Sequence, residues 1–88
     1  MKVSVVGLGY IGLPTAAVIA SHQVKVKDSS EKIEVIGVDI NQNVVDIINK
    51  GEIHFVEPEL DVMVRIATQS GCLRASFTHE KADIFIVA

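Results

Sequence analysis

The sequence predicts an α/β fold built on a parallel sheet, and three observations carry that prediction. Short β-branched or apolar runs, around Val3-Ser4-Val5-Val6, Val35-Ile36-Gly37-Val38 and Ile84-Phe85-Ile86-Val87, alternate with segments of helical periodicity. Three glycines, Gly7, Gly9 and Gly12, follow the first run within six positions. A lone acid, Asp39, closes the second run. Alternating strands and helices imply a parallel sheet with right-handed crossovers, and a glycine turn after its first strand is where such a sheet binds nucleotides.

The elements follow in order. Val3, Val5 and Val6 form a buried strand that stops at Gly7. From Tyr10 to His22, the small and apolar residues Leu13, Ala16, Ala17 and Ala20 recur at helical spacing and give one narrow face, with Pro14 loosening the helix start. Lys25 to Lys32 contains Asp28-Ser29-Ser30-Glu31 and reads as an exposed loop. Ile33 to Asp39 is the second strand. Asn41 caps a short helix over Gln42 to Lys50, with Val44, Val45, Ile47 and Ile48 on its apolar face and Gly51 as its C′ residue. Glu57-Pro58-Glu59 opens a third helix, proline near its first position and carboxylates including Asp61 at its positive end, running to about Ser70 and stopping at Gly71. Leu73 to Phe77 is a weaker strand and Ile84 to Val87 a strong one, giving the order β-α-β-α-α-β-β.

Composition bounds what the chain does. Eighty-eight residues make one small domain or part of one, which excludes a two-domain enzyme. Hydrophobic residues at 49% exclude disorder, and a mean hydropathy of +0.40 is high for a freestanding module of this size. Eight Lys+Arg against eleven Asp+Glu give a net charge of −3 without a basic stripe, so nucleic acid is not an expected partner. The apolar run at the N-terminus is too short for a signal-peptide core or a membrane span, and a single cysteine, Cys72, fits a reducing, cytoplasmic setting.

Gly7-Leu8-Gly9-Tyr10-Ile11-Gly12 is a G-x-G-x-x-G placed after a buried strand and at the opening of a helix, the context a dinucleotide fingerprint requires. Gly7 permits the tight turn, Gly9 lets the backbone come close to a pyrophosphate, and Gly12 lets the helix pack on the strand. The N–H groups around Tyr10 and Ile11, at the positive helix end, then bind a diphosphate without any basic side chain. A tight strand-to-helix turn with no ligand is the bland alternative. Asp39 is placed to accept hydrogen bonds from ribose hydroxyls, which favours NAD over its 2′-phosphorylated relative by charge repulsion. It stands 27 positions beyond Gly12 (39 − 12), against about 20 expected, while the rival Asp28 stands at 16 (28 − 12). Asp39 is preferred because it follows the better buried strand, the excess being a loop insertion.

The remaining polar residues carry less. Cys72 has no nearby base and reads as a structural thiol; His22, His54 and His79 lack metal-ligand spacing and read as surface or loop residues. No metal site and no catalytic residue is expected.

Gly7-Leu8-Gly9-Tyr10-Ile11-Gly12-Leu13-Pro14 and Ile36-Gly37-Val38-Asp39-Ile40-Asn41 resemble the NAD-dependent nucleotide-sugar 6-dehydrogenases, the family of UDP-glucose and UDP-N-acetylmannosamine dehydrogenases. Gly51 to Asp61 and the short link Thr78 to Asp83 most resemble the UDP-N-acetyl-D-mannosamine branch. The resemblance covers nearly the whole chain. It implies a Rossmann-type sheet of order 3-2-1-4, with residues 1–88 as the N-terminal part of the NAD-binding domain. It also implies a double oxidation, two NAD carrying C6 of the sugar from alcohol to carboxylate through a cysteine-bound thioester, in polysaccharide biosynthesis. The family's catalytic cysteine and lysine, its sugar-nucleotide pocket and its dimerising helical region lie downstream, so full-length members form homo-oligomers and the 88 residues alone are expected to be inactive. Lys27 to Val35 departs from the family, and its removal restores the usual helix-to-strand spacing, which favours Asp39. The expected cofactor-binding set is Gly7, Gly9, Tyr10, Ile11, Gly12, Asp39 and Asn41. The alternatives are a UDP-glucose 6-dehydrogenase fragment, or a freestanding nucleotide-binding module without redox activity. With no helix between Phe77 and Ile84, the chain alone is expected to leave an apolar sheet edge open and to associate.

Overall fold

Each apolar run of the sequence becomes a strand in the computed structural model, which describes residues 1–25 and 32–88. Among the described residues the order is β1 (Lys2–Val6), α1 (Gly12–Lys25), β2 (Glu34–Val38), α2 (Gln42–Asn49), α3 (Leu60–Gln69), β3 (Leu73–Ser76) and β4 (Ile84–Val87). The strands pair in parallel in the order β3-β2-β1-β4, so the expected Rossmann-type topology holds. The loop expected between Lys25 and Lys32 falls largely outside the described residues, and Asp28 with it.

Register sorts the strand residues onto two faces. Val3, Val5, Val35, Leu73 and Ala75 share one face and join a buried cluster with Leu13, Ala16, Ala17 and Ala20 of α1, Val45 and Ile48 of α2, and Leu60, Val64 and Ala67 of α3. All three helices therefore cover the same side. The alanines of α1 are fully buried, as the narrow small-residue face predicts, and let the helix lie close to the sheet. A fully buried leucine such as Leu13 contributes roughly 1.5–3 kcal/mol.

Two helix starts differ from the expected ones, and α1 also runs on to Lys25, past the expected His22. α1 begins at Gly12 rather than Tyr10, because Tyr10 and Ile11 belong to the turn; the first bonds that wind the helix are Leu13 N–H to Gly9 O at 3.1 Å and Thr15 N–H to Ile11 O at 3.2 Å. α3 begins at Leu60, not at Glu57-Pro58-Glu59. Glu59 has φ +70°, a left-handed conformation that a side-chain-bearing residue adopts at a cost, and a helix cannot continue backwards through it. Pro58 thus lies in the preceding turn, and Asp61 is the acid in the first helical turn. The ends of both helices behave as expected: Gly51 and Gly71 follow α2 and α3 at φ +79° and +81°, and the paired bonds Glu52 N–H to Ile47 O and Cys72 N–H to Ala67 O close the helix ends.

The opposite face carries Lys2, Ser4, Glu34, Ile36, Arg74 and Phe85. The link from β3 to β4 holds no helix, and its Glu80 is gripped by Arg74 through two contacts of 2.6 Å, with Lys2 at 3.6 Å. Glu34 joins the network at 3.4 Å from Arg74. β4 forms a sheet edge with Ile84, Phe85 and Val87 exposed.

The hydrogen bonds from Arg74, aided by the charges of Arg74 and Lys2, lower the Glu80 pKa from 4.5 to about 2. A carboxylate with a depressed folded-state pKa stabilises the fold fully above its unfolded value and loses that contribution as pH falls through the folded one. Stability should therefore decline from about pH 4.5 towards pH 2, modestly because the pair is part exposed. Urea midpoints measured across that window in wild type and Glu80→Gln are expected to converge at the acid end.

Candidate functional site

The site grows from the C-terminal ends of β1 and β2. Gly7 leaves β1 at φ +95°, a conformation open to glycine, and its N–H bonds Val38 O at 2.8 Å. Leu8 then turns inward, 1% exposed, and its methyls occupy the space above Gly37, where a built Cβ would sit 2.6 Å from Leu8 Cδ2. Gly12 brings α1 against the turn so closely that a Cβ there would lie 1.6 Å from Gly7 O. Gly9 is different. A Cβ on it would meet nothing within 4 Å, so the space beside it is left open by the protein.

Asp39, immediately after β2, crosses to this turn. Its Oδ2 accepts the Leu8 N–H at 2.9 Å and its Oδ1 accepts the Asn41 N–H at 2.9 Å. Each carboxylate oxygen keeps a further lone pair. Asn41 turns its Oδ1 to the Asn43 N–H at 3.0 Å, acting as the N-cap of α2 as its residue type predicts. Among the described residues the N–H groups of Tyr10 and Ile11 have no acceptor. They stand at the N-terminal end of α1, where the helix dipole favours an anion.

Gly7, Leu8, Gly9, Tyr10, Ile11, Gly12, Asp39 and Ala88 line a cleft of about 350 Å³. A second cleft of about 250 Å³ adjoins it through Gly7 and Asp39, walled by Val6, Val38, Ile40, Phe77 and His79. Of the predicted site residues, the structure thus brings together the five of the glycine turn and Asp39, with Asn41 bonded to Asp39. The geometry offers unpartnered N–H donors, an open flank at Gly9 and a carboxylate with free lone pairs, which fits a diphosphate joined to a ribose.

Sequence reasoning missed two contributors. Ile40, 98% exposed, and Phe77 form the apolar walls of the smaller cleft; their exposure, invisible in composition, is the signal. His54 lies in a loop as expected but is half-buried, its ring edge against Phe55 at 4.9 Å. Cys72 is free and half-buried. Among the described residues no group of three or more His, Cys, Asp or Glu could hold a metal, and no helix is long and apolar enough to cross a membrane.

A parallel sheet with a glycine turn at β1, a carboxylate at the end of β2 and an open anion cleft between them defines a dinucleotide-binding α/β domain. Over residues 1–88 the chain matches the NAD binding domain of the UDP-glucose/GDP-mannose dehydrogenase family, and it belongs to that family, with NAD as its cofactor. It is 59% identical over 87 residues to a UDP-N-acetyl-D-mannosamine dehydrogenase of Campylobacter jejuni, covering 99% of this chain and 19% of that protein. An NDP-N-acetyl-D-galactosaminuronic acid dehydrogenase of Ralstonia nicotianae is 58% identical over 86 residues, covering 98% and 18%. The solved UDP-N-acetyl-mannosamine dehydrogenase Cap5O of Staphylococcus aureus superposes with a TM-score of 0.86 at 42% identity, covering all of this chain and 19% of that one. The chain therefore spans about a fifth of the length of the relatives it matches.

Proposed function

We propose that these residues form the N-terminal part of the NAD-binding domain of a UDP-N-acetyl-D-mannosamine dehydrogenase and supply the adenosine-diphosphate half of its cofactor site. Gly7, Gly9, Tyr10, Ile11 and Gly12 shape the diphosphate seat, Asp39 receives the ribose hydroxyls, and Asn41 keeps Asp39 and the start of α2 in place. When bound, NAD supplies a hydride acceptor for oxidation of the sugar C6 alcohol to the carboxylate, two NAD being used per sugar. The chain's own residues bind and orient the cofactor. In this reading Asp39, held by two N–H groups, is a binding residue, and oxidation of substrate needs the rest of the enzyme. The whole enzyme acts in the cytoplasm as a homo-oligomer making precursors for polysaccharide.

The observation that carries the cofactor half of this reading is the Asp39 carboxylate, bonded to the Leu8 N–H at one flank of an otherwise uncharged phosphate turn, while the sugar rests on the likeness to the Campylobacter and Staphylococcus proteins. A 2′-phosphate would bring like charge against it. Calorimetric titration is expected to show NAD binding at least about tenfold more tightly than NADP. A folded chain that binds neither nucleotide overturns the proposal. A second reading, in which the sugar is N-acetylgalactosamine, has the Ralstonia relative in its favour, and turnover of the two nucleotide sugars by the whole enzyme separates them.

A further inference from the structure

Tyr10 belongs to the phosphate turn, yet the residue is 77% exposed and takes no part in the buried core. It rests on Phe55, ring centroids 4.6 Å apart and planes tilted by 49°. Phe55 comes from the loop between α2 and α3, far along the chain, and packs against the edge of the core. Its ring is held in turn by the edge of His54, perpendicular at 89°. Three rings thus run from the α2–α3 loop to the nucleotide cleft.

The restraints on the glycine turn are unevenly distributed. Its inner side is fixed by the Asp39 bond to Leu8, by Gly12 lying on Gly7, and by the Leu13 N–H to Gly9 O bond. At its outer rim the N–H groups of Tyr10 and Ile11 have no acceptor among the described residues, and nothing approaches the Cβ position of Gly9. Thr15 holds the Ile11 carbonyl of this rim through its hydroxyl at 2.8 Å and its N–H at 3.2 Å, while the Tyr10 end of the rim is anchored through its ring on Phe55.

We propose that Phe55 is a positioning residue for the nucleotide site: by carrying the Tyr10 ring it keeps the Tyr10 and Ile11 N–H groups aimed into the cleft. A turn preorganised in this way loses less freedom when an anion docks. The coupling is reciprocal, so a bound nucleotide steadies the α2–α3 loop as much as that loop steadies the turn. The inference rests on the reading of the cleft as an NAD site.

The chain contains one tyrosine and no tryptophan, so its near-ultraviolet circular dichroism reports the surroundings of the Tyr10 ring. NAD is titrated into wild type, Phe55→Leu and Phe55→Tyr, alongside near-ultraviolet spectra of wild type and Phe55→Leu and thermal unfolding of all three. Phe55→Leu keeps apolar bulk but removes the ring. It is expected to unfold within a few degrees of wild type, to lose the tyrosine band and to bind NAD about three- to tenfold more weakly, the range an aromatic pair supplies. Phe55→Tyr is expected to restore the affinity. Loss of the band with NAD affinity within twofold of wild type would overturn the positioning role, as would an unchanged band. Failure of wild type itself to bind NAD would overturn the reading of the cleft and this inference together, and the wild-type titration alone reveals that case.

Discussion

Gly12→Ala is expected to lose a large fraction of the folding stability, whereas Gly9→Val leaves the fold standing and removes NAD binding. The two glycines sit three positions apart in one motif, but space around them differs. At Gly12 a Cβ would lie 1.6 Å from the Gly7 carbonyl oxygen and 2.8 Å from its carbon, both backbone atoms that no rotamer change can move. α1 must therefore retreat from β1. That retreat opens the interface where Leu13, Ala16, Ala17 and Ala20 are fully buried, and α1 is the helix that contacts all three of β1, β2 and α3. Core displacements of this kind cost on the order of 3–5 kcal/mol, a large fraction of the total stability of a small domain. Gly9 has no such neighbour and no left-handed φ, so valine there should change stability by less than about 1 kcal/mol. Its methyls would occupy the space proposed for the diphosphate. An affinity loss of about a hundredfold or more is expected, since each 1.4 kcal/mol of steric cost is tenfold. Urea unfolding and calorimetry on the two variants read the contrast directly, and NAD binding by Gly9→Val at wild-type strength would remove the diphosphate from this turn.

How far the sequence announces this arrangement depends on the range of the interaction. Local periodicity gives the strands, the small-residue face of α1 and the glycine stops after α2 and α3, because each follows from neighbours a few positions apart. The glycine turn and Asp39 are legible for the same reason, as each stands at the end of a readable strand. What lies further apart is not legible. Gly37 admits the methyls of Leu8, a contact across 29 positions (37 − 8) that nothing local in β2 announces. The Asn49 amide bonds both the N–H and the carbonyl of Ala75, at 2.8 and 3.0 Å, and so ties α2 to the edge strand β3 across 26 positions. The start of α3 misleads because proline is a good first helical residue, and the left-handed Glu59 that prevents it leaves no mark in composition. Tyr10 and Phe55 come together through the tertiary fold alone.

Asp39 is expected to show its two roles separately when replaced by asparagine and by alanine. Its carboxylate bonds the N–H of Leu8, 31 residues away, and that of Asn41, so it pins the phosphate turn to the end of β2 as well as presenting charge to the cleft. Asparagine keeps one acceptor oxygen and removes the charge. The repulsion of a 2′-phosphate then disappears, and the preference for NAD over NADP should fall towards unity, with NAD itself weakened about tenfold because a neutral acceptor bonds ribose hydroxyls less strongly than an ionised one. Alanine removes both acceptors. The part-buried Leu8 N–H loses its partner at a cost of about 1–3 kcal/mol, and the turn loses its tie to β2, so stability and NAD affinity should fall together. The order is therefore wild type above asparagine above alanine for NAD affinity, with stability reduced mainly in alanine. An asparagine variant that still rejects NADP as wild type does would mean that the discrimination comes from another group, and Asp39 would be left as a brace for the turn alone.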